Sequence, residues 1–457
     1  MIKEIKTKIV SNNIQYSYLF IILFLAILLG LMIPMISLTQ LALVFSALIS
    51  IVWAIFNLKS FILAIIVLFP ILMGINFPSP IGGVRFGLDV LISLLLILIA
   101  ILVGISKKSL KNKKIITLFV IYIIIMVLST FQSLDVINSI SFIIRQISYI
   151  SIIFLIPTYF TSENDKLIIL VAIILASLVP TIQALYGFFE NIQTLQIIGH
   201  KVTYRAGFFS AAGGPWALSA FLLSVVVATY SVKNYLAIKR RKRFVFLLWV
   251  YLLVLFLGVI STFYRVSWIA LSMMIVVASR KRKKILLVFI LFLLIVILAM
   301  PAISDRMLQA FDMNSSMYGR FYQWEWTINQ LLANPSKFFT GFGRGSYGIM
   351  TQSDSFSYLN VKSAHNYYLS VLFDNGIFGL IIFVILLIYI FFRSIKTRNH
   401  SIKIDRIIHE TILLLWIGFI VMSISTSPLS NPASAFYFWV IVSLGDNVSK
   451  KPYHEIG

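Results

Sequence analysis

The chain alternates between long apolar runs and short polar segments. Apolar runs of about 17 to 25 residues, long enough to cross a bilayer as α-helices, recur from Tyr18 to Leu444. This pattern predicts an all-α, polytopic membrane protein with about fourteen transmembrane helices. The predicted spans are 18–36, 40–57, 60–77, 88–105, 115–131, 140–160, 166–189, 212–232, 244–261, 264–279, 285–301, 370–392, 408–425 and 434–446.

The composition excludes a soluble globular protein. Charged residues make up 12% of the chain, hydrophobic residues 60%, and the mean hydropathy is +0.99, whereas soluble domains carry about 25% charged residues. The absence of cysteine excludes disulfides, thiolate metal sites and cysteine nucleophiles. Lysines precede the apolar run at Tyr18, but no small-residue cleavage site follows it, which predicts an uncleaved first span.

The formal net charge of +23 reflects membrane topology better than nucleic-acid binding, because most lysines and arginines lie in short loops between spans. Basic clusters in such loops mark the cytoplasmic side. An even number of predicted spans separates successive clusters, which places both termini in the cytoplasm. The clusters are the N-terminal lysines and residues 107–114, 239–243, 280–284, 393–406 and 450–451.

This topology leaves five segments on the extracytoplasmic face of the membrane. The longest by far is residues 302–365, between the eleventh and twelfth spans. They predict a small external subdomain: a helix over Tyr318–Ala333, a breaker at Asn334-Pro335, and a glycine-rich turn at Gly341–Gly345 that presents Arg344. The shorter segments are 78–87, 132–139, 190–211 and 426–433. The predicted organisation is residues 1–301 for spans one to eleven, 302–369 for the external loop subdomain, and 370–457 for the last three spans and a short cytoplasmic tail.

Arginine and lysine segregate differently on this topology. Seven of the 15 arginines lie outside or in the outer half of a span, against three of the 23 lysines. Because the planar guanidinium binds phosphate oxygens in pairs, the outward arginines indicate an anionic ligand such as a phosphate or pyrophosphate. Arg145 and Arg265 lie within apolar runs, where a charge costs about 2.5 kcal/mol or more. The alternative is pairing with lipid headgroups or with Asp89, Glu190, Asp305 or Asp312.

His365 stands where the long external segment returns to the membrane. A histidine with an ordinary pKa of about 6.5 suits proton abstraction from a hydroxyl. Asn366 is a candidate to orient the ring or to hold a substrate hydroxyl, and the turn around Arg344 is a candidate to cup an anion with its backbone amides. The candidate platforms for sugar rings are Trp324, Trp326, Tyr367 and Tyr368. No motif for a metal or a nucleotide is present in the external segments, so no cofactor is predicted.

His365-Asn366, nine intervening residues, and Gly376-x-x-Gly379 resemble the signature of the O-antigen ligase and O-antigen polymerase superfamily of bacterial membrane glycosyltransferases. The resemblance covers roughly residues 200–392. It extends to Arg205-Ala206-Gly207, Arg265, Gly319-Arg320, Trp324, Asn334-Pro335 and Gly341-Phe342-Gly343. Two departures are Tyr264, where members often have serine, and Ile381-Ile382, where ligases commonly have threonine.

The resemblance implies an undecaprenyl-diphosphate-linked oligosaccharide as donor, used on the outer face of the bacterial cell membrane without metal or nucleotide. Together with the residues that carry it, the resemblance points to His365 as the catalytic base and to Arg205, Arg265 and Arg320 as ligands of the donor diphosphate. Arg145, which lies within an apolar run outside the resemblance, is a further candidate ligand. The candidate substrate contacts are Asn366, Arg344, Trp324 and Arg85. The expected partners are the lipid bilayer and the flippase and chain-length regulator of the same pathway.

The favoured function is polymerisation of lipid-linked repeat units into a surface polysaccharide such as a capsule, an exopolysaccharide, an O-antigen or a teichuronic-type polymer. One alternative is a ligase that transfers a finished glycan to lipid A core, protein or wall polymer. A flippase is disfavoured because the chain shows no internal repeat, which transporters usually have.

Overall fold

The computed structural model describes residues 50, 53–54, 56–72, 76–77, 86–106, 113–194, 215–262, 264–280, 287, 291, 316–353, 363–396 and 403–446. The chain divides into two compact units, Met1–Ala64 and Ile65–Gly457. In the first unit, the Asn57 side chain accepts a hydrogen bond from the Ser60 amide at 3.1 Å. This bond caps the start of the first described helix.

The described residues are almost entirely helical. In chain order the helices are α1 (Leu58–Leu72), α2 (Leu88–Ser106), α3 (Lys113–Thr130), α4 (Val136–Tyr159), α5 (Glu163–Ala176), α6 (Leu178–Thr194), α7 (Pro215–Ile238), α8 (Lys242–Ile260), α9 (Arg265–Ser279), α10 (Ser316–Ala333), α11 (Pro335–Thr340), α12 (Ser346–Ser353), α13 (Tyr367–Lys396), α14 (Lys403–Ser423) and α15 (Pro432–Ser443). A 3-10 helix, Leu444–Asp446, follows α15. Between α1 and α2, strand β1 (Asn76–Phe77) pairs antiparallel with β2 (Phe86–Gly87).

Within the described residues, seven helical segments are long and apolar enough to cross a membrane: Lys113–Thr130, Val136–Tyr159, Glu163–Tyr186, Trp216–Ile238, Lys242–Ile260, Tyr367–Lys396 and Ile404–Ser423. The shorter apolar helices are Leu58–Leu72, Leu88–Gly104, Arg265–Ser279 and Pro432–Ser443. The predicted span 18–36 lies outside the described residues, and 40–57 and 285–301 lie largely outside them. Every other predicted span overlaps one of these helices, whereas the total of fourteen stays a prediction.

Helix α15 forms the centre of the second unit. Every residue from Ala433 to Ser443 is buried, and the helix packs against α4 and α7. Its rings meet α1, where Phe436 stacks on Phe69 with centroids 4.1 Å apart. A helix that is apolar on all sides is expected in the interior, and the Pro432–Ser443 sequence has that character.

The segment α10–α12 packs against the first half of α13. A core cluster joins them, formed by Leu331, Phe342, Tyr347, Ala364 and Phe373. Trp326 completes this cluster by contacting the rings of Tyr347 and Phe373, with centroids 5.1 and 6.0 Å away. The predicted helix Tyr318–Ala333 is confirmed as part of α10, and Asn334-Pro335 separates α10 from α11. The cluster fixes the residues on both sides of His365.

Candidate active site

Helix α13 is broken inside its apolar run. Gly376 has φ 67° and ψ −174°, which is far from helical geometry. The carbonyls of Phe373 and Asp374 instead accept hydrogen bonds from the amides of Phe342 and Gly343, at 2.8 and 3.0 Å. The break therefore brings the glycine-rich turn and the signature segment into direct backbone contact.

Two glycines make this contact possible. A Cβ on Gly341 would lie 2.3 Å from the Asp374 carbonyl oxygen, and one on Gly376 would lie 2.1 Å from the Phe339 carbonyl oxygen. Both residues also have positive φ, which side chains rarely tolerate. The first glycine of the Gly-x-x-Gly signature thus has a structural role: it lets two backbones cross.

Two polar residues that the sequence analysis did not single out, Asp374 and Asn375, are buried at the break. Asp374 forms an ion pair with Arg344, with Oδ2 and Nη1 2.8 Å apart. The Arg344 guanidinium also lies over the Phe142 ring at 4.5 Å. The signal in the sequence is a carboxylate within an apolar span, where charges are costly and usually functional.

Asn375 ties the same break to α3. Its Oδ1 accepts a hydrogen bond from the Ser129 hydroxyl at 3.0 Å, and its Nδ2 donates to the Tyr122 hydroxyl at 3.5 Å. Asn375 is 4% exposed. Because buried amides are costly unless they are bonded, these contacts hold the broken segment in one position.

His365 lies in a fixed and strained turn immediately before α13. Its φ is 48°, in the left-handed region, and such residues cluster at functional sites. The Trp324 indole donates to the Ala364 carbonyl at 2.9 Å, and the Asn366 side chain accepts from the Leu369 amide at 3.1 Å. Trp324 and Asn366 therefore hold the backbone on either side of His365. The Asn366 oxygen caps α13, a role that sequence analysis did not assign to it.

The surroundings of His365 keep its ring neutral. Burial, and then the positive charge of Arg320, lower the pKa of His365 from 6.5 to about 4. The pKa of His365 thus lies below the ordinary histidine value from which the sequence analysis argued. At neutral pH the imidazole carries no proton on one nitrogen, so it is able to accept one.

Arg320 lies within electrostatic range of both His365 and a second arginine, Arg265. Arg265 is the first residue of α9, and its charge repels that of Arg320. The Arg320 guanidinium donates to the Ser425 hydroxyl, and the Tyr264 hydroxyl donates to the Ser425 carbonyl at 2.9 Å. Three distant segments of the chain thus meet here, and Arg320 acts electrostatically on both Arg265 and His365.

The remaining predicted arginines behave differently. Arg145 donates from Nε to Asp89 at 2.5 Å, and both side chains are largely buried. This is the carboxylate pairing that the sequence analysis left open as the alternative. Arg85 and Arg205 lie outside the described residues.

The structure accounts for some of the candidate groups in the glycine-rich turn Gly341–Gly345 and among the aromatic residues. The amides of Phe342 and Gly343 already donate to α13, so they are not available to cup an anion. Trp326 is partly buried against the core cluster, and Tyr367 is 3% exposed, so Tyr367 offers no face to a sugar ring. The break in α13, whose carbonyls bind the Phe342 and Gly343 amides, could not be predicted from the local sequence. Among the described residues, no group of three or more acidic or histidine side chains is placed to hold a metal.

The fold and the site together define a class of protein: a helical membrane protein in which one arginine acts electrostatically on a neutral histidine and on a second arginine. The family model for O-antigen ligases matches residues 250–384. This segment runs from α8 to α13 and contains Arg265, Arg320, His365 and both signature glycines. The resemblance to the O-antigen ligase and polymerase superfamily is therefore confirmed for this segment, and members of that family are glycosyltransferase-like membrane enzymes. A search of curated proteins finds no significant match to the chain.

Proposed function

We propose that this protein polymerises undecaprenyl-diphosphate-linked oligosaccharide repeat units into a cell-surface polysaccharide. The observation that carries the proposal is the neutral His365 under the charge of Arg320, which also acts on Arg265, within the segment that matches the O-antigen ligase family. The bacterial inner membrane fits the apolar helices and the family. The reaction takes place on the outer face, with both termini in the cytoplasm.

The donor diphosphate binds between Arg265 and Arg320. Two guanidinium groups that repel each other in a partly buried site favour an anion between them. The fixed positive charge stabilises the leaving diphosphate more strongly as the bond to the anomeric carbon breaks. Arg205 and Arg145 are proposed as further ligands of the donor. Arg145 would act from its ion pair with Asp89, in which its Nε contacts the carboxylate.

His365 acts as the general base. A hydroxyl of the acceptor sugar gives its proton to the unprotonated ring nitrogen while its oxygen attacks the anomeric carbon. The glycosidic bond to the diphosphate breaks, and its electron pair leaves with the phosphate oxygen. Binding of the anionic donor offsets the charge of Arg320, which raises the pKa of His365 and makes the ring a stronger base. No step requires a metal or a nucleotide.

Ligation is the second candidate, because the family model that matches describes O-antigen ligases. A ligase would use the same donor site and the same base, and would differ only in the acceptor. The acceptor would then be lipid A core, protein or wall polymer. A flippase and a chain-length regulator are the proposed partners of the polymerase.

The experiment is to incubate the purified protein in detergent, with a chelator, with a defined undecaprenyl-diphosphate oligosaccharide, and to resolve the products by size. A ladder spaced by one repeat unit is the expected result. Transfer only after lipid A core or another acceptor is added would favour the ligase. Intact donor under every acceptor condition would overturn both.

A further inference from the structure

A polar cavity of about 380 Å³ lies beside the ion pair of Arg344 and Asp374. It is formed where three segments meet: the start of α4, helix α12 with the turn before it, and the residues on both sides of His365. The polar lining consists of Asp135, Asn138, Arg344, Gln352, Ser370 and Asp374, with Ser363 at the edge of the His365 turn. Its volume falls in the lower part of the range for small-molecule sites, about 300–1,000 Å³.

The chemistry of this lining suits a sugar. Carboxylate and amide oxygens accept hydrogen bonds from hydroxyl groups, while amide, guanidinium and serine donors serve the ring and hydroxyl oxygens. Ile349 and Tyr347 are the larger apolar residues in contact with the cavity. A lipid tail would gain little here, because it forms no hydrogen bonds with these polar groups and would displace water from them.

The charges in the cavity select among sugars. Asp135 and Asp374 carry two negative charges and Arg344 one positive charge, so the formal sum is −1 (+1 − 2). A diphosphate or a uronic acid would be repelled, whereas a neutral or amino sugar would not. The cavity therefore differs from the cationic site at Arg265 and Arg320.

The cavity is held in shape before any ligand arrives. The Arg344 carbonyl accepts hydrogen bonds from the hydroxyls of Ser133 and Ser139, at 2.6 and 2.5 Å. Gly345 has φ 90°, and a Cβ on it would lie 2.8 Å from the Asp135 Cβ. These contacts fix the wall formed by Arg344 and Asp135, and a rigid wall lowers the entropy cost of binding.

Two residues that line the cavity come from the short stretch of chain that contains His365. Ser363 and Ser370 lie on either side of His365 in sequence, and the Ser370 hydroxyl donates to the Asn366 carbonyl at 2.9 Å. From this placement we infer that the cavity binds the acceptor saccharide, and that the sugar it takes is neutral or carries an amino group. The inference rests on the proposed role of His365, and it adds the site for the second substrate.

The test uses the absence of cysteine in the chain. Gln352→Cys places a single thiol at the exposed side of the cavity, and Asn329→Cys places one on the exposed side of α10 as the matched control. The rate of maleimide labelling is measured on the full-length protein with glucose, glucosamine or glucuronic acid. We expect glucose and glucosamine to slow labelling at position 352 about tenfold when present at about ten times their Kd. Glucuronic acid should protect little, and position 329 should label at an unchanged rate.

A second variant tests the charge. Asp135 accepts from the Asn138 amide at the start of α4, and asparagine is an equally good cap. Asp135→Asn therefore keeps the helix start and removes one negative charge, and in that background glucuronic acid should protect Cys at position 352. Absence of protection by all three sugars, or equal protection by glucuronic acid with Asp135 present, would overturn the inference. If no sugar protects position 352 but the protein still extends the polymer, only the inference about the cavity is refuted. If a neutral sugar protects position 352 but the protein transfers nothing from the donor, only the proposed function is refuted.

Discussion

At the scale of single residues, the site combines a neutral base with positively charged side chains, and the environment of each group determines its role. Burial and Arg320 keep His365 neutral, whereas Arg265 and Arg320 remain cations that repel each other. A base and an anion-binding pair are what transfer from a lipid diphosphate to a hydroxyl requires. Because the charge of Arg320 lowers the pKa of His365, binding of the anionic donor is coupled to the strength of the base.

That contact predicts an unusual pH dependence. Since the folded pKa of His365 lies below its ordinary value, the base is lost only as the pH falls through about 4. The acid limb of kcat/KM, which reports the free enzyme, should therefore lie well below pH 6.5. Arg320→Gln removes the second cause of the low pKa, and the limb should move to higher pH, although burial still holds it below 6.5.

Arg320→Gln also weakens donor binding, which lowers kcat/KM at every pH. The apparent pKa of the acid limb is therefore compared, and not the maximum value of kcat/KM. Arg406→Gln, at an exposed arginine on α14, is the matched control and should leave the limb in place. A wild-type limb near pH 6.5, or an Arg320→Gln limb that does not move, would show that the charge of Arg320 does not act on His365.

At the scale of elements, the important feature is the break in α13. It turns an apolar helix into a site, since the carbonyls it releases bond to the Gly341–Gly343 turn and its polar residues reach Arg344 and Ser129. Hydropathy alone predicts span 370–392 correctly and yet gives no sign of the break. The Gly-x-x-Gly spacing is also compatible with close helix packing, so it does not specify a crossing of two backbones.

Gly376→Ala should disrupt this element. The new Cβ would lie 2.1 Å from the Phe339 carbonyl, and φ 67° is unfavourable for alanine. We expect destabilisation of at least about 1–3 kcal/mol, measured as a lower Tm of the detergent-solubilised protein, together with loss of transfer activity. Gly104→Ala is the matched control, because nothing lies within 4 Å of its Cβ. Equal Tm values for the two variants would contradict the role of the break.

At the scale of the whole molecule, the sequence predicts what depends on composition and local spacing. Apolar runs give the helices, and the resemblance brings together His365, Arg265 and Arg320, of which Arg320 acts electrostatically on the other two. Contacts between distant segments were not predictable. The pairing of Arg145 with Asp89 and of Arg344 with Asp374 links residues 56 and 30 positions apart, and no local pattern records which carboxylate a given arginine meets.

The central claim is that His365 removes the acceptor proton while the arginines hold the donor. The most direct measurement is donor binding and donor transfer, determined separately on purified wild-type and His365→Ala proteins with a defined undecaprenyl-diphosphate oligosaccharide. The account predicts unchanged donor binding and transfer reduced by about 10²–10⁴-fold, the usual contribution of a general base. Transfer by His365→Ala at the wild-type rate would contradict it.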